Sequence, residues 1–112
     1  MGAPGFGLDQ ASLAKDNPGI VVCSLNAYGT DAPFADRPYG EALAAARLGA
    51  MIDKSSSFRP GPVYLGHPAL HYGQAFLAAI SILAALRARH ENGEGQAVEA
   101  TLLDAFLARS GF

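Results

Sequence analysis

The sequence is poor in charge and in cysteine and has no long apolar run, and each scarcity excludes a class of protein. Charged residues make up 16% of the 112 positions and the net charge is −2, so no basic surface for nucleic acid or an anionic membrane is indicated. The single cysteine, Cys23, excludes an internal disulfide and fits a reducing compartment. Residues 2–5 lack the apolar core of a signal peptide. We therefore expect a cytoplasmic protein.

A long predicted helix, from Pro68 to Asn92, holds the most apolar stretch of the chain. Proline suits a first helical position, and Gly93 supplies the left-handed residue that ends a helix. From Phe76 to Leu86 every residue but Ser81 is apolar, which predicts burial on more than one side. That run is roughly half of the about 20 residues that a membrane span needs. We therefore expect a core helix rather than a membrane span, with these residues in the core: Phe76, Ile80 and Leu83.

Turn residues and apolar periodicity predict two strands and three further helices. The run Ile20–Leu25 is continuous and β-branched, as in a parallel strand buried on both faces, whereas Ala97–Leu102 alternates and suits a strand with one covered face. The helices are expected from Asp9, as cap, through Asp16 with Leu13 as anchor, over Tyr39–Met51 and over Leu103–Arg109. Loops are expected over 1–8, 30–38 and 52–67, the last with an extended piece at Val63 and Tyr64.

These elements predict an α/β fold that its own chain cannot complete. A parallel strand buried on both faces needs several neighbouring strands and two helix layers, and only two strands are predicted. The apolar helix needs the same cover. The chain therefore reads as a piece of a larger α/β protein or as half of an interlocked assembly, and we favour the piece.

Three stretches carry motifs in one order with compatible spacing. Asn17–Gly29 matches a strand of the form NPRLIYCSISGFG, Ala35–Met51 matches ADRPGYD…GLM, and Ile82–Leu86 followed by Gly93–Ala105 matches a helix–GxGQ–strand–LLDA signature. Together they resemble the class III CoA-transferase family, which includes formyl-CoA transferases and α-methylacyl-CoA racemases. The similarity runs from about Leu8 to Leu107.

The resemblance implies that residues 1–112 are the central segment of a Rossmann-like large domain with a long buried helix. Family members are several times longer: N-terminal strands help to hold CoA, and a second, smaller domain follows at the C-terminus. Both would lie outside these residues. Members form interlocked homodimers and bind no permanent cofactor, because CoA and acyl-CoA are substrates together with a carboxylic acid acceptor.

The resemblance also implies a mechanism, in which an aspartate at the head of the long helix attacks the acyl-CoA thioester. Ungapped alignment puts His71 at that aspartate's position. Imidazole can attack a thioester, but an acyl-imidazole is prone to hydrolysis and does not supply the family's anhydride step. His71 could instead be a base, facing Glu41 across one cavity in a mirror of the racemase His–Asp pair. Arg37, with Tyr39 beside it, could contact a CoA phosphate.

Plainer interpretations of the same residues stay open. His71 could be a structural histidine near a helix start, Glu41 a first-turn carboxylate that suits the helix dipole, and Arg37 a solvated charge. His67 and His71 lie four apart, but Pro68 lies between them and no third ligand is in view, so we expect no metal site.

Several functions therefore compete. The chain could belong to a CoA-transferase or a racemase-like enzyme, or to a catalytically inactive relative. Independently of any family, it could be a helical oligomerisation module. We expect a class III CoA-transferase segment that is inactive by itself.

Overall fold

A computed structural model describes residues 6–53, 60–64 and 66–110. The elements, in chain order, are α1 Gln10–Leu13, β1 Val22–Asn26, α2 Glu41–Arg47, α3 Ala50–Asp53, α4 Ala69–Asn92, β2 Ala97–Thr101 and α5 Leu102–Ser110. Residues 1–5 of the expected N-terminal loop, and residues 54–59 and 65 of the expected connection, lie outside the described residues.

The two strands form a parallel sheet, as the α/β prediction requires. Val22 pairs with Ala97, and the register continues to Asn26 opposite Thr101. A parallel pair needs a long crossover, and α2, α3 and α4 lie between the two strands in the chain. Both strands therefore end at the same edge of the sheet, where α2 and α4 begin.

Helix α4 packs on the sheet and on α5 with one face and exposes the other. Leu70, Gln74 and Ala78 are buried, whereas Phe76, Ile80 and Leu83 are 72%, 63% and 65% exposed. The prediction that these three form a core stripe is wrong within this chain, because a two-stranded sheet and one short helix cover a single face. By length and composition alone α4 could cross a membrane, a test that core helices of soluble proteins also pass.

Strand β1 is not buried on both faces in this chain, contrary to the burial that its apolar run predicts. Val22, Cys23 and Ser24 are half-buried and Leu25 is 54% exposed, because β2 is its one neighbour in the described sheet. Cys23 is a free thiol of intermediate burial. The double burial that the apolar run predicts would need further strands and helices on the open side.

Two helix predictions differ from the structure in extent. Asp9 caps α1 as predicted, because its side chain accepts a hydrogen bond from Ser12 N at 3.0 Å, but the helix ends at Leu13 instead of Asp16. The predicted helix Tyr39–Met51 is divided into α2 and α3 at Gly49, which adopts φ +83°. A left-handed residue interrupts the helical hydrogen-bond ladder, so the alanine-rich stretch cannot continue.

The other boundaries lie within one or two residues of the predictions. Helix α4 begins after Pro68, which is the N-cap instead of the first helical residue, and Gly93 closes it with φ +77°. Residues 30–38 are turns and bends. The expected extended piece is not a strand, although Val63 N donates a hydrogen bond to Met51 O at 2.8 Å.

A small core joins the head of α4 to α2, α5 and the end of β1. Its buried residues are Ala27, Tyr28, Ala44, Ala45, Leu70 and Leu102. The Arg47 guanidinium lies over the Phe34 ring at 4.9 Å and over the Tyr28 ring at 5.7 Å, which ties the 30–38 segment to α2. This core fixes the start of α2 against the start of α4.

Candidate functional site

The candidate site lies where the strands end and α4 begins. Open α/β sheets bind ligands at the carboxyl ends of their strands. Gln74, which is 1% exposed, donates from Nε2 to Asn26 O at 2.8 Å and to Ala100 O at 2.9 Å. One side chain of α4 is therefore bonded to the last residue of β1 and to the residue before the last of β2, which sets the position of the helix start relative to the sheet edge.

Glu41 and His71 form a direct pair at this edge. Glu41 Oε2 lies 2.5 Å from His71 Nδ1 and also accepts a hydrogen bond from His71 N at 2.9 Å, while Oε1 accepts one from Leu70 N at 3.0 Å. Pro68, the N-cap of α4, makes no side-chain cap bond. A side chain from α2 therefore supplies the cap that α4 lacks locally.

The pairing fixes how the imidazole presents its two nitrogens. A carboxylate is an acceptor only, so Nδ1 must carry a proton to bond it, and the neutral ring then has its lone pair on Nε2. Within the described part of the chain, Nε2 has no hydrogen-bond partner, and the His71 side chain is 33% exposed. In the neutral ring this lone pair can react with an electrophilic carbon or a proton.

Tyr39 completes the surroundings of His71. Its hydroxyl donates to Gln74 Oε1 at 2.9 Å, and its ring lies edge-to-face with the imidazole, with the ring centroids 5.2 Å apart at 88°. Burial raises the pKa of the Tyr39 phenol above its ordinary value, and the negative charge of Glu41 raises it further. Tyr39 thus stays a neutral donor over an extended pH range and restrains the ring that it touches.

Three of the four predicted site residues therefore come together. Tyr39, Glu41 and His71 share one network, but Glu41 and His71 contact each other instead of standing on either side of an open space. Arg37 is exposed in a turn, where its backbone N donates to Phe34 O at 2.9 Å, and its guanidinium has no ion pair among the described residues. The predicted roles of Arg37 and Tyr39 toward CoA stay predictions.

Sequence reasoning missed Gln74, the residue that links the network to the sheet. The signal was present, because an amide in an apolar helix three positions after His71 lies on the same face and must find partners when buried. Asn26 adds a second polar group, since its Oδ1 accepts from Gly29 N at 2.5 Å, while its buried Nδ2 has no partner among the described residues.

A pocket lies beside Glu41. It is lined mainly by apolar groups of α2, α3, the 60–64 segment and the α4 start, together with His67 and Arg109. Among the described residues no group of three or more His, Cys, Asp and Glu side chains could hold a metal. Glu41 lines this pocket, and the imidazole that Glu41 holds is a group suited to proton transfer or nucleophilic attack.

Comparison with known proteins adds a family. The model of CoA-transferase family III matches residues 3–112. The beta subunit of succinyl-CoA–L-malate CoA-transferase from Chloroflexus aurantiacus is 32% identical over 100 residues, which cover 88% of this chain and 24% of that protein. Formyl-CoA:oxalate CoA-transferase from Rhodopseudomonas palustris is 30% identical over 103 residues, which cover 91% of this chain and 24% of that protein.

Solved structures show the same similarity. A CaiB/BaiF family protein from Brucella suis superimposes with a TM-score of 0.76 at 27% identity, covering 88% of this chain and 26% of that one. The hypothetical protein Rv3272 from Mycobacterium tuberculosis gives a TM-score of 0.81 at 25% identity, covering 94% of this chain and 29% of that one. The chain thus spans about a quarter of the length of these relatives.

Proposed function

The chain belongs to CoA-transferase family III, and we propose that it is the central segment of an enzyme that moves CoA between an acyl-CoA thioester and a carboxylic acid. Membership rests on the family model and on relatives named as CoA-transferases. The proposed full-length enzyme would carry the remaining CoA-binding segments and a smaller domain outside these residues. No permanent cofactor is needed for this reaction, because both reactants are substrates.

The observation that carries the proposal is the Glu41–His71 contact at the head of α4. His71 stands where the resemblance puts the nucleophilic aspartate, and the 2.5 Å contact to Glu41 Oε2 gives its Nδ1 proton a place to go. When Nε2 attacks the thioester carbon, the C–N bond forms, the C–S bond breaks, and CoA leaves as the thiolate. Transfer of the Nδ1 proton to Glu41 then leaves a neutral acyl-imidazole.

CoA transfer is completed by the acceptor. An acyl-imidazole is not an acyl–enzyme anhydride, so the anhydride of this route joins the two acids and does not include the enzyme. The acceptor carboxylate attacks the acyl carbon, the C–N bond breaks, the imidazole leaves, and Glu41 returns the proton to Nδ1. The CoA thiolate then attacks the acceptor's carbonyl carbon, so a new acyl-CoA forms and the original acid departs as its carboxylate. The steps that involve the protein use Glu41 and His71, which are in contact.

The test is CoA exchange by the proposed full-length enzyme. We expect isotope-labelled L-malate to enter the CoA thioester pool when succinyl-CoA is supplied, or labelled oxalate when formyl-CoA is supplied. His71→Ala is expected to abolish exchange. His90→Ala removes an exposed imidazole from the far end of α4 and is expected to leave exchange unchanged. Absence of exchange with both pairs, together with no α-proton wash-out from acyl-CoA in heavy water, would contradict an enzymatic role.

The proposal extends to assembly and location. The open side of β1 and the exposed face of α4 are expected to be covered by the remaining segments of the enzyme and by a second copy, as in a homodimer. We place the enzyme in the cytoplasm, because the single cysteine suits a reducing compartment.

A further inference from the structure

We propose that the site hydrolyses acyl-CoA thioesters, with water competing against the carboxylic acid for the acyl group on His71. The inference rests on the proposed function, because both reactions share the acyl-imidazole. It goes beyond CoA transfer, because the net reaction consumes water and yields a free acid and free CoA. The substrate class is an acyl-CoA whose acyl group reaches His71 Nε2.

The Glu41 carboxylate is occupied by hydrogen bonds. It accepts three hydrogen bonds, two from the backbone N–H groups of Leu70 and His71 and one from the imidazole Nδ1. Its side chain is 11% exposed. A carboxylate whose oxygens are occupied in this way is held as a cap and a proton acceptor, so it is poorly placed to attack a thioester. Imidazole is the accessible nucleophile.

The acyl group on His71 can be attacked by water as well as by thiolate. An acyl group on a carboxylate is an anhydride that CoA thiolate readily attacks, whereas an acyl group on imidazole is also readily attacked by water. The His71 side chain is 33% exposed, so water reaches the imidazole in the described part of the chain.

Glu41 takes up and returns the Nδ1 proton during hydrolysis, so the protons balance. After the attack on the thioester, Glu41 holds the proton from Nδ1 and CoA has left as the thiolate. Water then adds to the acyl carbon, the C–N bond breaks, and Glu41 returns its proton to the ring. The proton lost by the attacking water goes to the CoA thiolate. Glu41 and His71 end in their starting states, so no reactant other than water is required.

Contacts on the imidazole ring orient His71 Nε2. Tyr39 contacts the imidazole edge-to-face and bonds Gln74, which is itself fixed to Asn26 O and Ala100 O. Glu41 holds the same ring through Nδ1. The Tyr39 and Glu41 contacts therefore both restrain the direction of Nε2.

The experiment measures thiol release from acetyl-CoA and from succinyl-CoA by the proposed full-length enzyme, without any acceptor acid, in ¹⁸O-enriched water. We expect continuous release of CoA, one ¹⁸O atom in each released acid, and an acetyl group on His71 in acid-quenched samples analysed by mass spectrometry. His71→Ala is expected to lower release by about 100-fold or more, and His90→Ala to leave it unchanged.

His71→Asp separates hydrolysis from transfer. This substitution is expected to lower the release of acid to water at least tenfold, while transfer of CoA to an isotope-labelled acceptor acid persists. The reason is that the acyl group on a carboxylate is an anhydride, which CoA thiolate readily attacks. Transfer by the unaltered enzyme without release to water would overturn this inference and leave the proposed function standing. Release that survives His71→Ala would also overturn it. If the enzyme shows no release to water and no transfer to an acceptor acid, both proposals are overturned.

Discussion

At the scale of single residues, Glu41 joins stability to chemistry. Its carboxylate caps α4 and also holds the His71 ring, so a change at this position acts on both. A substitution that keeps the shape but removes the charge shows how much of the cap depends on charge.

We expect Glu41→Gln to lower the free energy of unfolding by about 1–3 kcal/mol. An amide keeps one acceptor oxygen and puts an NH2 donor in place of the other, so at least one of the bonds from Leu70 N and His71 N is lost and the rest lose the charge. Chemical denaturation measures the change. Glu91→Gln is the matched control, since Glu91 is 64% exposed and pairs with Arg87 in the last turns of the same helix; its change should stay within about 0.5 kcal/mol. Equal effects at the two positions would contradict the capping role.

Tyr39 predicts a dependence on alkaline pH. Burial and the Glu41 charge raise the pKa of its phenol above 10.0, so the folded state favours the neutral form. That contribution is complete below the unfolded-state pKa of about 10 and is lost as the pH rises through the folded-state value. The effect should be modest because the residue is 49% exposed.

We therefore expect the free energy of unfolding to fall more steeply between pH 10 and 11, the range of about one pH unit above the ordinary tyrosine pKa, in the unaltered protein than in Tyr39→Phe. Denaturant titrations at each pH measure this free energy. Tyr72→Phe removes a hydroxyl from an exposed tyrosine and should keep the original slope. Parallel slopes for Tyr39→Phe and the unaltered protein would contradict a Tyr39 pKa raised by burial and by the Glu41 charge.

The residues of the site differ in how far sequence could identify them. Glu41 and His71 follow from motif positions, because a motif fixes residue order. Their mutual contact does not follow, because it depends on how α2 crosses the start of α4. The amide of Gln74 in an apolar helix indicates a buried polar group that needs partners, but the sequence does not show that these partners are the backbone oxygens at the strand ends.

At the scale of elements, the helices and strands were predictable where local chemistry decides them. Proline before α4 and glycine after it fix that helix. The division of α2 from α3 was missed because the alanine-rich run outweighed Gly49, whose left-handed backbone decides the break. The exposure of β1 and α4 agrees with the expectation that this chain cannot complete the fold, because both elements lack the neighbours that their apolar sequences require.

The turn that leads into β2 depends on a close approach at Gly95. A Cβ at this position would lie 1.9 Å from Ile20 O, and Gly95 N donates to Pro18 O at 2.9 Å. The contact joins the entrance of β2 to the entrance of β1 and sets the register of the sheet.

We expect Gly95→Ala to destabilise the protein by at least about 2 kcal/mol, because the backbone of Ile20 must move and the strand entrances must separate. Thermal or denaturant unfolding measures the loss. Gly40→Ala is the control, since Gly40 has an extended φ of 175° and a Cβ there would meet Leu43 at an ordinary 3.6 Å. A Gly95→Ala protein as stable as Gly40→Ala would contradict the close packing of the two entrances.

At the scale of the whole molecule, the chain is more open than a compact domain of its size. Its radius of gyration is 16.7 Å and its accessible surface is 7442 Å². A compact 112-residue domain would have a radius of gyration of about 13 Å, and an 11.6 kDa monomer about 5,800 Å² of surface. The excess includes the exposed face of α4, which agrees with a segment that functions inside a larger assembly.

This openness predicts that one substitution has opposite effects in two settings. Ile80 is 63% exposed on α4, so Ile80→Glu in the isolated chain is expected to reduce aggregation, because it places a charge within an apolar surface. In the proposed full-length enzyme the same residue would be covered, and the buried charge should lower stability by about 3 kcal/mol or more or prevent assembly. Light scattering and unfolding of both polypeptides measure the two effects.

The control is His90→Glu, which adds the same carboxylate at an exposed position in the last turn of α4 and should change neither polypeptide greatly. If Ile80→Glu improves solubility in both settings, the α4 face is solvated in the working protein and its cover is not part of the enzyme. If Ile80→Glu impairs only the full-length enzyme, the exposed apolar face of α4 is covered there by the remaining polypeptide. A carboxylate is tolerated in water and not against a packed apolar neighbour.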